Sequence, residues 1–199
     1  MKIAGAFRAN EWHAMRTRLQ AGEADAWCDA VSLLRQRLSG RYLEHARKLL
    51  DRRYSGFAIL AIDSAVIEAL EQFRKGVSTT PSSKSGEFFR DFFATTRFKT
   101  FFTPKTATLF YETVRCGIFH QAESKADSLV KKSPASFVVK QSPSGKGVVI
   151  NARRFHEELE GALEDYVNAL LAGNAILRKS FIKKMDHITR CEPDIGAVV

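Results

Sequence analysis

The chain has 199 residues, 45% of them hydrophobic and 15 of them Phe, which is enough to bury a core and excludes a disordered polymer. Its formal net charge of +9 favours an anionic partner such as RNA, DNA or an acidic protein. The longest apolar block, Gly56 to Ile62, is too short to span a bilayer, no leader peptide shows, and Cys28, Cys116 and Cys191 have neither disulfide-framework nor zinc-ligand spacing, so a cytoplasmic protein without metal or cofactor is expected.

Asn10 to Gln20 reads as a short amphipathic helix with Asn10 as its cap. From Ala24 to Asp51, residues Trp27, Val31, Leu34, Leu38, Tyr42, Ala46 and Leu49 step by threes and fours, a helical stripe that Gly40 kinks or divides. Tyr54 to Lys75 is a nearly all-apolar helix interrupted by Asp63 and Ser64, with Gly76 as its C-cap. After a Ser/Thr/Pro-rich loop, Ser85 caps a short helix bearing Phe88, Phe89, Phe92 and Phe93, and a linker follows with Phe98, Phe101 and Phe102. For these rings core and lid roles are expected rather than a base-stacking platform. Thr103-Pro104 launches a helix to about Ser124. Residues 136–150 then hold two β-branched runs around a Ser/Gly-rich turn, the signature of an inserted β-hairpin. Asn151 caps a helix to Leu171, a basic helix spans Ala175 to Arg190, and 191–199 reads as a loose tail. The expected architecture is one all-α domain over 1–199, an up-and-down helical bundle with a small hairpin insertion.

The stretch Tyr111-Glu-Thr-Val-Arg115-Cys-Gly-Ile-Phe-His120-Gln-Ala-Glu123 carries the chemistry. An imidazole can move a proton near neutral pH, and a guanidinium can hold a phosphate that gains charge in a transition state. On an ideal helix five residues turn by about 140° and rise about 7.5 Å, so Arg115 and His120 do not share a face. Either Gly117 loosens the geometry or a second subunit completes the site. Supporting positions are Asp63, which could orient Arg115 or sit in the core as its ion-pair partner, Tyr111 one turn before Arg115, Cys116, and Gln121 beside His120. A purely structural reading pairs Arg115 with Glu112 or Asp63 and leaves His120 at a helix C-terminus. A similar pair, Arg8 and His13, lies near the terminus and is read as coincidence. Lys131, Lys132, Lys140, Lys146, Arg153 and Arg154 surround the hairpin, either to track an RNA backbone or as a solvated edge.

The helix reading Val-Arg115-Cys-Gly-Ile-Phe-His120-Gln-Ala-Glu resembles the signature of the HEPN superfamily, which is Arg, four to six residues, then His. The helix Phe57-Ala-Ile-Leu-Ala-Ile-Asp63-Ser-Ala-Val-Ile-Glu68-Ala-Leu-Glu-Gln-Phe73 is similar to the acid-bearing helix that precedes it in such proteins. Cys116 departs from the pattern, which usually has a polar residue there; a thiol is a poor hydrogen-bond donor. The resemblance implies a metal-independent endoribonuclease that acts as a homodimer, often a toxin or antiphage effector with a neutralising or activating protein partner. It equally implies a fallback class, the inactive module that binds RNA, a nucleotide or a protein.

Overall fold

The structure, a computed structural model, describes residues 2–190. It is mostly helical with two small sheets. A hairpin of β1 (Lys2–Ala4) and β2 (Phe7–Arg8) opens the chain, an element the sequence reading did not anticipate. Helix α1 (Trp12–Gln20) follows, starting later than expected because Asn10 lies in a 3-10 turn, where the Glu11 carboxylate accepts the Arg8 N–H at 2.7 Å. The long stripe is divided at Gly40, as its position suggested: α2 (Ala24–Leu38) and α3 (Glu44–Leu49) are joined by a π turn over Ser39–Leu43.

Helix α4 (Gly56–Lys75) packs against α5 (Ser85–Thr95), α8 (Ala152–Leu171) and α9 (Ala175–Thr189), which places it at the centre of the fold. Its apolar run explains this: Ile59, Leu60, Val66, Ile67, Leu70 and Phe73 are all buried. Gly76 ends it in the left-handed conformation, φ 66°, and a Cβ there would lie 2.9 Å from the Ser180 Cα. Glycine thus serves both the cap and the close approach to α9. Phe89, Phe92, Phe93, Phe98 and Phe102 form one buried cluster with Phe110 and Phe155, in which Phe93 stacks on Phe102 at 4.1 Å, whereas Phe101 is exposed.

Thr103 caps α6 (Pro104–Leu109), accepting the Thr106 N–H at 3.2 Å. A π turn over Phe110–Arg115 joins α6 to α7 (Cys116–Gln121), and Ala122 ends the helix in the left-handed region, three residues short of the expected Ser124. The expected hairpin is β4 (Val139–Gln141) against β5 (Val148–Asn151), with Val139 opposite Ile150. It belongs to a three-stranded sheet, because β3 (Leu129–Lys131) pairs parallel to β5, a third strand too short to read from periodicity. Asn151 precedes α8 as expected, but its amide caps nothing: it donates to the carbonyls of Ser133 and Ala135 and so holds the loop before the hairpin. Asn174 caps α9. The tail read as loose, 191–199, lies outside the described residues. Among the described residues no helix is long and apolar enough to cross a membrane.

Candidate functional site

Arg115 closes the π turn, the wide helical turn that recurs at functional sites. Its guanidinium is boxed by rings one turn to either side: the Phe119 centroid lies 4.7 Å from Cζ, Tyr111 5.8 Å, and Phe89 of α5 5.9 Å. The acid beside it is Glu68, on α4, 3.2 Å from an Nη. The side chain remains 20% exposed and Nε is buried without a hydrogen-bond partner. Tyr111 also packs at a tilt against Phe89, centroids 5.5 Å apart, and a Cβ on Gly86 would lie 3.1 Å from its ring, so Tyr111 is part of the packing that fixes the arginine.

His120 is exposed on the last turn of α7, next to Phe119, itself 49% exposed. Arg115 looks toward Phe119 and Tyr111, four positions either side. On ideal helix geometry His120 lies about 140° around from it, so one protomer alone is not expected to converge both groups on one phosphate. Cys116 is a half-buried free thiol and Gln121 is exposed.

Gly117 holds this end of the helix together. The chain doubles back over it, with the Lys125 N–H donating to the Thr113 carbonyl at 2.7 Å, and a Cβ on Gly117 would lie 2.3 Å from the Glu123 carbonyl oxygen. Backbone cannot yield as a side-chain tip can, so Gly117→Ala is expected to cost about 1–3 kcal/mol in a urea melt. It should also displace the turn that carries His120.

Asp63 is a correction to the expected site. It does not reach Arg115 but lies fully buried with Oδ1 2.9 Å from Nδ1 of the equally buried His156 on α8. The reason is helical phase: Glu68, five residues on from Asp63, takes the face of α4 that meets the arginine, while Asp63 faces α8. Nε2 of His156 lies 3.2 Å from Glu160, which accepts two hydrogen bonds from Arg47 of α3. Burial raises the Asp63 carboxyl to about 6, with His156 partly offsetting it. Burial lowers the His156 imidazole, but its hydrogen bond to Asp63 and the charges of Asp63 and the nearby Glu160 outweigh this and hold it up at about 9. Near neutral pH the two form a buried ion pair. His156 was legible in principle, since Ala152, Phe155, His156, Leu159, Leu163 and Tyr166 make one buried stripe and a histidine in such a stripe needs a partner.

The cations around the hairpin separate into two groups. Lys132 donates to the carbonyls of Leu50 and Arg52 and to Ser55 Oγ, capping the end of α3; Arg153 reaches Leu50 O and Asp51, and Arg154 pairs with Glu157. Lys131, Lys140 and Lys146 are exposed, with Lys140 over the Phe137 ring. Among the described residues no group of three or more His, Cys, Asp or Glu is placed to hold a metal ion.

No family model, curated relative or solved structure matches the chain.

Proposed function

We propose that the protein is a HEPN-like metal-independent endoribonuclease that works as a homodimer. The observation that carries this reading is the placement of the motif pair: Arg115 is braced yet solvent-reachable, and His120 is exposed and unpartnered among the described residues at the same helix end. A histidine whose task was to hold the fold would be packed and bonded, as His156 is. The 140° offset supports a composite site in which Arg115 of one protomer meets His120 of the other across a two-fold axis. The partly exposed Phe119, beside His120, suits the edge of such an interface.

In this reading His120 takes the proton of a ribose 2′-OH, which attacks the adjacent phosphate. Arg115 stabilises the charged phosphorane, and the second His120 protonates the leaving 5′ oxygen. Products carry 2′,3′-cyclic phosphate and 5′-OH ends. The test is incubation of the protein with total RNA in EDTA and analysis of the fragment ends. Cyclic-phosphate ends support the reading, whereas no cleavage by a folded dimer removes it. The second reading is an inactive module that binds RNA, a nucleotide or a protein; it is favoured by the Arg115–Glu68 ion pair, which occupies part of the arginine. An antiphage or toxin role is the biological setting proposed for the first reading.

A further inference from the structure

A second anion-facing feature lies away from the Arg115–His120 helix end, at the junction of α3, α4 and β3. Here Arg53, Tyr54, Ser55, Phe57, Val130 and Lys132 line an open cavity of about 410 Å³, within the range that takes a nucleotide-sized ligand. Val130 of β3 and Lys132, one residue past the end of that strand, both line it.

The Tyr54 ring is 90% exposed, the most exposed large apolar side chain among the described residues. It is held in the left-handed backbone region, φ 59°, where a tyrosine is disfavoured. The Arg53 guanidinium lies over its face, 5.4 Å from the centroid. Folding gains nothing from this ring, because it covers no core.

The charged residues lining the cavity have one sign. The Lys132 ammonium is bonded only to neutral acceptors, the carbonyls of Leu49, Leu50 and Arg52 and the Ser55 hydroxyl. Among the described residues, Arg52, Arg53, Lys131 and Lys132 have no carboxylate partner, while nearby Asp51 pairs with Arg153. An exposed aromatic face beside uncompensated cations is the arrangement that holds single-stranded nucleic acid, the base stacked and the phosphate drawn by charge. An acidic peptide would use the cations but not the ring face.

We infer that the Tyr54–Arg53 cavity is a subsite for one nucleotide of a single-stranded RNA, stacking a base on Tyr54 and placing its phosphate by Arg53, with Lys132 adding positive charge at the cavity wall. This rests on RNA being the ligand of the proposed function, but not on cleavage.

The test is fluorescence anisotropy of the full chain with a labelled 2′-O-methyl octauridylate in EDTA, a probe that lacks the cleavage nucleophile. Wild type should bind, and more weakly as salt rises. Tyr54→Gly and Arg53→Glu should each weaken binding about fivefold or more, while Tyr54→Phe, which keeps the stacking face, binds as wild type. Glycine is the natural occupant of a left-handed backbone, so Tyr54→Gly does not lose binding by unfolding. Unchanged binding by Tyr54→Gly overturns the subsite, as does a failure of wild type to bind at low salt. A polyglutamate peptide that binds as tightly, with the same dependence on Tyr54, also overturns it. Binding through Tyr54 by a protein that cleaves no RNA supports the subsite and sinks only the nuclease; cleavage alongside unchanged Tyr54→Gly binding does the reverse.

Discussion

Replacing His156 with alanine is expected to lower the unfolding free energy by about 3–5 kcal/mol, because it strands the Asp63 carboxylate in the core. Both side chains are fully buried, and Asp63 Oδ2 already lacks a hydrogen-bond partner. The imidazole is therefore the main compensation for that carboxylate. Domains of this size are commonly stable by about 5–15 kcal/mol, so the variant should unfold at far lower urea. Asp63→Asn is the milder partner: it keeps the shape and a hydrogen-bonding group but removes the charge that holds the imidazole protonated. An unchanged urea midpoint for His156→Ala would mean that the pair contributes nothing to the fold.

The pair also sets a pH dependence whose sign is fixed. His156 titrates at about 9 in the folded chain, above an imidazole's ordinary value. Its contribution is fully present below about 6.5 and is lost as pH rises toward 9. Asp63 is raised too, to about 6, so the folded state also holds that proton more tightly, and stability falls from about pH 4 to 6 through it. Glu71, raised to about 7 by burial, acts in the same direction, whereas Lys184, lowered by burial to about 8, acts oppositely above that pH. The difference in urea midpoint between wild type and Asp63→Asn isolates the pair from both. It should shrink between pH 6.5 and 9.

The parts of the fold that were legible are those where local chemistry and burial agree. Gly76 announced a left-handed cap, Thr103-Pro104 a helix start, and the Phe57–Phe73 run a central helix; each is where its chemistry placed it. The two π turns were not legible, since a single added residue shifts phase without a composition mark; only Gly40 hinted at the first. Strands of two or three residues, such as β2 and β3, carry too few side chains to show a period. Partner choice was the harder failure. Of the acids on α4, Asp63 and Glu68 are five residues apart, and which of them meets Arg115 depends on how α4 is rotated against its neighbours. That rotation is a property of the packed core, so Asp63 was assigned to the arginine when it belongs to His156. For the site, the motif supplied Arg115 and His120, while Glu68 and the Phe89, Tyr111 and Phe119 box came only from tertiary contact.

His120→Ala and Arg115→Ala are each expected to lower RNA cleavage on the order of 10²-fold or more, the usual loss when a general base or a charge-stabilising group is removed. The arginine variant needs a control, because Arg115 also contacts Glu68 and three rings and its loss could unsettle the helix end. Arg115→Lys keeps a positive charge opposite Glu68 but not the planar fork, so it should retain the melting temperature better than alanine while cleavage stays low. The decisive measurement uses the offset between the two groups. If Arg115 of one protomer works with His120 of the other, then mixing inactive Arg115→Ala and His120→Ala proteins forms heterodimers in which one site has both groups intact. Cleavage should then return in part, in proportion to the heterodimer fraction and slowed by the missing second imidazole, although neither variant cleaves alone. A pair drawn from a single protomer would regain nothing on mixing, since every chain in the mixture lacks one member. Full cleavage by His120→Ala on its own would remove the imidazole from the chemistry altogether.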